Sequence, residues 1–179
     1  ILRRLVGSEM CIRDRNSTTK THLVTYFGNI EDNIDLLSSA SFESVHLDLI
    51  TDDSNLENIK NVSCKNISLG IISGRNIWRL NWEKTIEKIG SLPLEGFETI
   101  YLGPSTSLQH LPYSIELEKK IDNELLSWLA FAKEKISELA LLANHLSNQS
   151  VSEEIESIKA ANEARQNSDR VTKTSVRQR

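Results

Sequence analysis

The stretch Leu69–Trp78, with the sequence LGIISGRNIW, decides the fold of this chain. Its first four residues have the apolar, β-branched composition of a buried strand, and Ser73-Gly74 supplies the turn that ends it. A second stretch further along, Leu125–Lys133 with the sequence LLSWLAFAK, is typical of an apolar helix. A buried strand followed by such a helix is typical of an α/β fold.

Four runs along the chain have the composition of short β-strands, and turn residues follow each of them. They are His22–Phe27, Val45–Ile50, Ile67–Ile72 and Thr99–Leu102. Between them, apolar residues recur at helical spacing. These helical residues are Ile30, Ile34 and Leu37, then Leu56 and Ile59, then Trp82, Ile86 and Ile89. Strand and helix alternation of this kind predicts βα units and a parallel sheet.

The strongest predicted element is one continuous helix from Asp122 to Leu146. Asp122 is a good N-cap, and Glu124 lies in the first turn, where the helix dipole favours a negative charge. Spacings of three and four predict one apolar face that packs on the strands, formed by Leu125, Leu129, Ala132, Ile136, Leu139, Ala143 and Leu146. The opposite, solvent-exposed face is predicted to carry Lys133, Lys135 and Glu138.

The count of βα units suits either half of an eight-stranded TIM barrel or a small open sheet. A complete barrel needs roughly 250 residues, and the whole chain has 179. This count favours a partial (β/α)8 barrel over residues 16–146. After Leu146 the composition becomes polar, and residues 147–179 are predicted to be a linker. A mostly polar helix over Glu153–Arg165, anchored by Ile155 and Ile158, is expected within it.

The first fifteen residues are treated separately from the fold. Leu5–Asp14, LVGSEMCIRD, resembles the in-frame translation of a transposase-type sequencing adaptor. The alternative is a transit or signal segment, but a signal peptide needs a continuous apolar core. Charged residues interrupt any such core, namely Arg3, Arg4, Glu9, Arg13 and Asp14. We therefore expect residues 1–15 not to belong to the natural protein.

Composition disfavours several classes of partner. The chain has 21 basic and 25 acidic residues, a net charge of −4. Without residues 1–15, which hold four basic and two acidic residues, 17 basic and 23 acidic residues remain, a net charge of −6. We therefore expect neither nucleic acid nor an anionic membrane as a partner, since both require a basic face. No apolar run approaches the roughly 20 residues of a membrane span.

Cysteine usage indicates a reducing compartment. Cys64 is the only cysteine outside residues 1–15. One cysteine can form neither an intramolecular disulfide nor a thiolate zinc cage, so a cytoplasmic location is expected.

Several motifs, taken together and in order, resemble the cobalamin-independent methionine synthase family, in the second half of its N-terminal barrel. They are His46–Leu49, Leu69–Trp78, Pro104–His110 and Ser127–Lys133, and Asp169–Thr172 resembles the start of the inter-barrel linker. Two positions depart from the family pattern. Ser73 stands where the family usually has Asp, and Thr106 stands where it often has Cys.

The resemblance implies an enzyme of two fused barrels and identifies this chain with the last four βα units of the first. In the family, the C-terminal barrel holds a zinc ion that activates homocysteine as a thiolate. The methyl donor is methyltetrahydrofolate with a polyglutamate tail. We therefore expect a methyltransferase fragment that lacks the catalytic barrel, is inactive alone and binds no zinc. Folate polyglutamate and homocysteine are expected as ligands of the full-length protein only, and the fragment is expected to pack against the missing half-barrel and the C-terminal barrel.

The resemblance also places a degenerate site on this chain. The strand ending at Tyr26-Phe27-Gly28 has no His-x-Cys pair. Asp48 stands where the sister barrel has its carboxylate ligand, Arg75 lies near the position of its catalytic His, and Thr106 stands for its last Cys. One carboxylate with no thiolate beside an arginine makes a poor zinc site. We expect no catalytic, cofactor or metal residue here, and we expect Asp48 and Arg75 to pair as structural groups at the barrel mouth.

The other chemically interesting residues are expected to be structural, and they are His46, Cys64, Trp78, His110 and Trp128. His46 alternates with apolar neighbours and so faces the other side of its strand. Cys64 precedes a strand, has no histidine in local register and is expected to be a partly buried spectator. His110 is expected in a loop, and the two tryptophans are expected to pack.

Two further interpretations remain open. The chain is alternatively a stand-alone, non-catalytic half-barrel scaffold or interaction domain that associates with another half. It is otherwise part of a different barrel enzyme such as a decarboxylase, against which the motifs argue. A half-barrel has two unpaired sheet edges. Inward-facing side chains, either Val24, Leu49 and Ile71 or their alternating neighbours, are expected to lack an opposite wall, so the isolated chain is expected to fold poorly or self-associate.

Overall fold

A computed structural model describes residues 20–39 and 42–171. The segment 1–15 lies outside the described residues, as do residues 172–179. Four strands form one parallel sheet in the order β1-β2-β3-β4. They are β1 His22–Val24, β2 Ser44–Asp48, β3 Asn66–Ile72 and β4 Thr99–Pro104. All four predicted strands are confirmed, and so is their parallel direction.

Helices follow the strands, as βα units require. They are α1 Ile34–Ser39, α2 Asn55–Asn58, α3 Trp82–Gly90, α4 Asn123–Ser127, α5 Ala132–Leu146 and α6 Ser152–Asn167. Short 3-10 turns flank them at Glu31–Asn33, Ile59–Asn61, Leu108–His110 and Ile115–Leu117. The predicted helical stretches between the strands are confirmed. The sheet is thus consistent with part of a barrel.

The sheet has two chemically different faces. Register places Leu23, Val45, Ile67 and Ile100 in one row and Val24, His46, Ser68 and Tyr101 in the next. The face that contains the first row and Leu47, Leu69 and Leu102 is called the apolar face. Apart from Ile100, its residues belong to or pack against one core cluster that also contains side chains of the helices, among them Leu37, Ile59, Trp82, Ile89 and Leu142. The opposite face, which carries Ser44, His46, Asn66 and Ser68, is called the polar face.

Of the three residues named as facing inward, two lie instead on the face that the helices cover. Leu49 and Ile71 are buried, because they belong to the core cluster that the helices complete. Val24, in the polar-face row at the sheet edge, is 43% exposed.

The prediction of one helix from Asp122 to Leu146 is wrong. Asp122 does cap a helix, since its Oδ1 accepts from the Leu125 amide at 3.0 Å, but α4 ends at Ser127. The next residues turn to the segment after β3, where the Trp128 carbonyl accepts from Arg79 and the Ala130 amide donates to the Ile77 carbonyl. These bonds take the backbone out of the helical ladder. Helix α5 then begins afresh, and its third residue, Glu134, accepts from the Phe131 amide.

The predicted faces of this region are also wrong. Lys135 is 1% exposed and Glu138 is 5% exposed, whereas Ile136 is 59% exposed. The reason is that backbone groups of the segment after β3 need hydrogen-bond partners. The Lys135 ammonium donates to the Trp78 carbonyl at 2.9 Å, and Glu138 Oε1 accepts from the Leu80 amide at 3.1 Å. Polar partners of a buried backbone therefore lie on the inner face of α5.

The polar segment after α5 contains the predicted helix. Ile155 and Ile158 of α6 are buried, as expected for its anchors. The Asn162 side chain donates to the Leu80 carbonyl at 2.7 Å. Helix α6 therefore packs on the sheet domain. Among the described residues, no helix is long and apolar enough to cross a membrane.

Candidate functional site at the carboxyl ends of the strands

The carboxyl ends of the parallel strands meet at one edge, where barrel proteins place their reacting groups. Asp48 ends β2 at this edge and is fully buried. Its Oδ1 accepts from the amides of Ile50 and Thr51, both at 3.0 Å. Its Oδ2 accepts from the Phe27 amide at 3.2 Å and from the Thr51 hydroxyl at 2.6 Å. Both oxygens are thus used to shape the turn after β2 and to hold the end of β1.

The predicted pairing of Asp48 with Arg75 is wrong. No ion pair joins them in the part of the chain that the structure describes, because the Asp48 carboxylate already has four nearby donors. The Arg75 guanidinium instead lies 5.5 Å from the centroid of the Phe27 ring. Phe27 adopts a left-handed conformation with φ 67°, and in this conformation its amide donates to Asp48. A cation facing an aromatic ring is a favourable contact.

Asn55 supports the same edge, and the sequence analysis missed it. It is fully buried at the start of α2. Its Oδ1 accepts from the Ile30 amide, and its Nδ2 donates to the carbonyls of Gly28 and Asp48, both at 2.9 Å. A single asparagine in a polar run has no distinguishing pattern. Only the fold shows that it ties the loop after β1 to the end of β2.

The turn after β3 is held without a charge. The Ser73 hydroxyl accepts from the amides of Arg75 and Asn76, at 3.3 and 3.2 Å. Gly74 passes so close to Thr106 that an added Cβ would lie 2.6 Å from the Thr106 hydroxyl oxygen. Thr106 is fully buried, and its hydroxyl has no hydrogen-bond partner in the part of the chain that the structure describes. Close packing, rather than an open ligand position, therefore separates the ends of β3 and β4.

His46 lies on the polar face, opposite its apolar neighbours as predicted. Its Nδ1 shares a 2.8 Å hydrogen bond with the Ser68 hydroxyl, and its Nε2 is buried with no hydrogen-bond partner among the described residues. Burial, followed by the neighbouring His22, lowers the pKa of His46. The ring edge contacts Tyr26 at 5.7 Å between centroids. The imidazole of His46 is thus packed against aromatic rings on the polar face.

The remaining candidate residues lie apart from this edge. Cys64 is half-buried as predicted, its Sγ donates to the Asn66 carbonyl, and burial raises the pKa of the thiol. Trp128 is buried, and the Arg165 guanidinium covers the Trp78 ring at 4.4 Å. His110 ends an exposed 3-10 turn. The structure does not bring these residues together into one site.

The comparisons with known proteins agree with the motifs. The statistical model of the family described as "Cobalamin-independent synthase, N-terminal domain" matches residues 10–95. The 5-methyltetrahydropteroyltriglutamate--homocysteine methyltransferase of Actinobacillus pleuropneumoniae serotype 5b (strain L20) is 34% identical over 165 residues, covering 89% of this chain and 22% of that protein. The protein of the same name from Xylella fastidiosa (strain M23) is 34% identical over 172 residues, covering 94% of this chain and 23% of that protein.

The chain belongs to the cobalamin-independent synthase family. The resemblance stated from its motifs is thereby confirmed. The chain spans less than a quarter of the length of the curated relatives it matches. The range matched by the N-terminal domain model begins at residue 10, so it includes the last six residues of the segment expected to be foreign.

The strand-end residues of this cobalamin-independent synthase chain do not fit a zinc ion. No group of three or more His, Cys, Asp or Glu side chains converges within the described residues. The Asp48 oxygens accept four protein hydrogen bonds, and Thr106 offers a hydroxyl where zinc prefers a thiolate or an imidazole. This edge therefore has the chemistry of a structural junction.

Proposed function

We propose that this chain is a structural part of a methionine synthase, namely the second half of its N-terminal barrel. The whole protein would transfer a methyl group from 5-methyltetrahydropteroyltri-L-glutamate to L-homocysteine in the cytoplasm. The names of the relatives supply these substrates. Zinc and the reacting groups would lie in a C-terminal barrel outside this chain, so the chain alone would be inactive.

One observation carries the structural role, and it is the saturation of Asp48. A catalytic or metal-binding carboxylate needs a free oxygen directed at its ligand. Asp48 has none, since four donors from the loops after β1 and β2 occupy it. In this proposal the strand-end edge keeps the barrel mouth in shape while chemistry occurs elsewhere.

The proposal divides the chain into three parts. Residues 1–15 are foreign to the natural protein, residues 16–146 form the half-barrel, and residues 147–179 begin the inter-domain linker. Sequencing the locus from unfragmented DNA tests the first boundary. A different residue sequence before Asn16 supports it, and finding LVGSEMCIRD encoded in the genome contradicts it.

The same locus tests the function. The reading frame that contains this chain should continue on both sides into the missing half-barrel and a zinc barrel. Expressed whole, it should form methionine from the two substrates and hold zinc after dialysis. Residues 16–179 expressed alone should do neither. A natural start and stop immediately around this chain, or stoichiometric zinc on residues 16–179, would contradict the proposal.

A stand-alone scaffold is the second candidate, and one observation favours it. The apolar face is already covered by helices, and Leu49 and Ile71 are buried without any further wall. Size-exclusion chromatography and thermal unfolding of residues 16–179 separate the two candidates. Poor folding or self-association is expected for a half-barrel with unpaired edges. A soluble monomer with one sharp transition would instead favour the scaffold.

A further inference from the structure

A single arginine ties the turn after α6 back to the start of α4. Arg170 lies three residues beyond Asn167, the last residue of α6. Its Nη1 and Nη2 donate to Oδ1 and Oδ2 of Asp122, both at 2.9 Å, and Nη1 also donates to Glu124 Oε2 at 2.9 Å. The two acidic residues precede Arg170 by 48 and 46 positions. These three side chains are called the Arg170 latch.

The Arg170 latch has the geometry of a strong ion pair. Two parallel hydrogen bonds from one guanidinium to one carboxylate are stronger and more directional than a single contact. Isolated exposed ion pairs contribute little to stability, but bidentate pairs and networks of several charges are the exception. The latch has both of these features, with its side chains about half exposed. The Arg170 guanidinium also holds the pKa of the Asp122 carboxyl well below its usual range, so this carboxyl is ionised at neutral pH.

Local hydrogen bonds fix both ends of the latch. The Arg170 amide donates to the Ser168 hydroxyl at 3.2 Å, and the Val171 amide donates to the Ser168 carbonyl at 3.0 Å. At the other end, Asp122 caps α4, since its Oδ1 also accepts from the Leu125 amide at 3.0 Å. Because each end is held by its own neighbours, closing the latch costs little further conformational entropy of the backbone.

The rest of α6 is held on the domain by few contacts. Its buried side chains are two isoleucines and one alanine. Asn162 donates to the Leu80 carbonyl at 2.7 Å, and the Arg165 guanidinium covers the Trp78 ring at 4.4 Å. An element with little buried apolar surface opens locally at a small cost in free energy. The latch lies beyond all of these contacts, at the carboxyl end of the helix, and is therefore placed to decide whether that end stays docked.

We propose that α6 is a releasable strap over the segment 77–80 and that the Arg170 latch holds it closed. With the latch closed, Asn162 and Arg165 stay on Leu80 and Trp78. With the latch open, the C-terminal half of α6 leaves that segment while the four strands stay paired. Because the latch is an exposed network of charges, salt weakens it, and the segment is uncovered at high ionic strength. The inference does not depend on the proposed methyl transfer.

Hydrogen exchange of the full chain, followed by mass spectrometry at low and at high salt and at one pH, tests this inference. In the parent, amides in the C-terminal half of α6 should exchange faster at high salt, while those of β3 keep their rate. In Arg170→Gln, the same α6 amides should exchange about fivefold faster than in the parent at low salt, because the ion-pair network is lost. Their exchange should then no longer respond to salt.

Matched variants separate the latch from a general loss of charge. Asp122→Asn keeps a good N-cap residue on α4 but removes the ionised partner, so it should also speed the exchange of α6 while α4 stays protected. Lys159→Gln removes a cation of α6 whose ion pair with Glu156, at 3.6 Å, lies within the helix, and it should exchange as the parent does. Unchanged exchange of α6 in Arg170→Gln, an equal effect in Lys159→Gln, or simultaneous opening of β3 would each overturn the inference.

Discussion

The two faces of the sheet are both buried at their centre, but for different reasons. On the apolar face, Leu47 and Leu69 are completely covered by other apolar side chains. On the polar face, His46 and Ser68 are covered almost as well and are matched to each other by a hydrogen bond. Truncating a side chain on the apolar face therefore leaves a cavity. Truncating one on the polar face leaves an unpaired hydrogen-bond donor or acceptor. The two faces should respond differently to mutation and to pH.

The largest effect is expected from a cavity in the apolar face. Leu69→Ala in the central strand β3 should lower the free energy of unfolding by about 2–5 kcal/mol. Ile100→Ala is the matched control, because Ile100 lies in a row of the same face but is 42% exposed at the sheet edge. It should cost less than about 1.5 kcal/mol. Urea unfolding measures the free energy of unfolding of both variants. Equal losses of stability in the two variants would contradict the assignment of the core.

The next effect should come from the strand-end junction. Asp48→Ala leaves the amides of Phe27, Ile50 and Thr51 without their acceptor and should cost about 3 kcal/mol. Thr51→Val removes one of the four donors and should cost about 1 kcal/mol. Urea unfolding followed by circular dichroism measures the two changes. A loss in Asp48→Ala no larger than in Thr51→Val would show that the junction does not hold the loops.

A smaller effect is expected within the polar face. Ser68→Ala leaves His46 Nδ1 without its hydroxyl partner, and the free energy of unfolding should fall by about 1 kcal/mol. Ser63→Ala changes an exposed serine just before β3 and should stay within about 0.5 kcal/mol of the parent. Thermal unfolding of the parent, Ser68→Ala and Ser63→Ala measures these differences in stability. A neutral Ser68→Ala would mean that the hydrogen bond contributes nothing to the face.

The faces should also differ in their response to acid. Burial lowers the pKa of His46 in the folded state below its ordinary value of 6.5. The unfolded chain therefore binds a proton more readily as the pH falls through that value, and stability decreases on acidification. His46→Gln removes this contribution, whereas Leu69→Ala leaves it in place. The free energy of unfolding should fall more between pH 7.5 and pH 5.5 in the parent than in His46→Gln. An equal fall in the two proteins would refute the assignment.

The sequence predicted the strands because one alternating set of residues in each strand is apolar. The set that contains Leu47 and Leu69 alternates with His46 and Ser68, so the period of a strand is visible. The same pattern suggests that the second set faces solvent. Its burial depends on how tightly the neighbouring strands and loops enclose it, which a linear pattern does not contain.

The prediction failed where backbone groups far apart in sequence required partners. Residues after Ser127 have good helical spacing, yet they leave the helix to exchange hydrogen bonds with Ile77 and Arg79. Lys135 and Glu138 look like solvent-exposed helix residues but serve a buried backbone. Local periodicity detects burial of apolar surface and is blind to such long-range polar pairing.

The predicted pairing of Asp48 with Arg75 failed for a related reason. The expectation that Asp48 pairs with Arg75 considered side chains of opposite charge only. The turn after β2 presents two amides and a hydroxyl to the carboxylate, and Phe27 presents a third amide. Backbone donors that the fold places within reach compete well with an exposed arginine.

The hydrogen bonds around Leu80 have a consequence for the order of folding. The Leu80 amide and carbonyl are bonded to Glu138 and Asn162, partners 58 and 82 residues away. These bonds cannot form until the last two helices have docked, so the segment 77–80 should become structured late on the folding pathway. The amide hydrogen of Leu80 should then exchange with solvent deuterons whenever α5 releases its side chain. Native-state exchange at that single amide would report helix undocking long before the sheet itself opens.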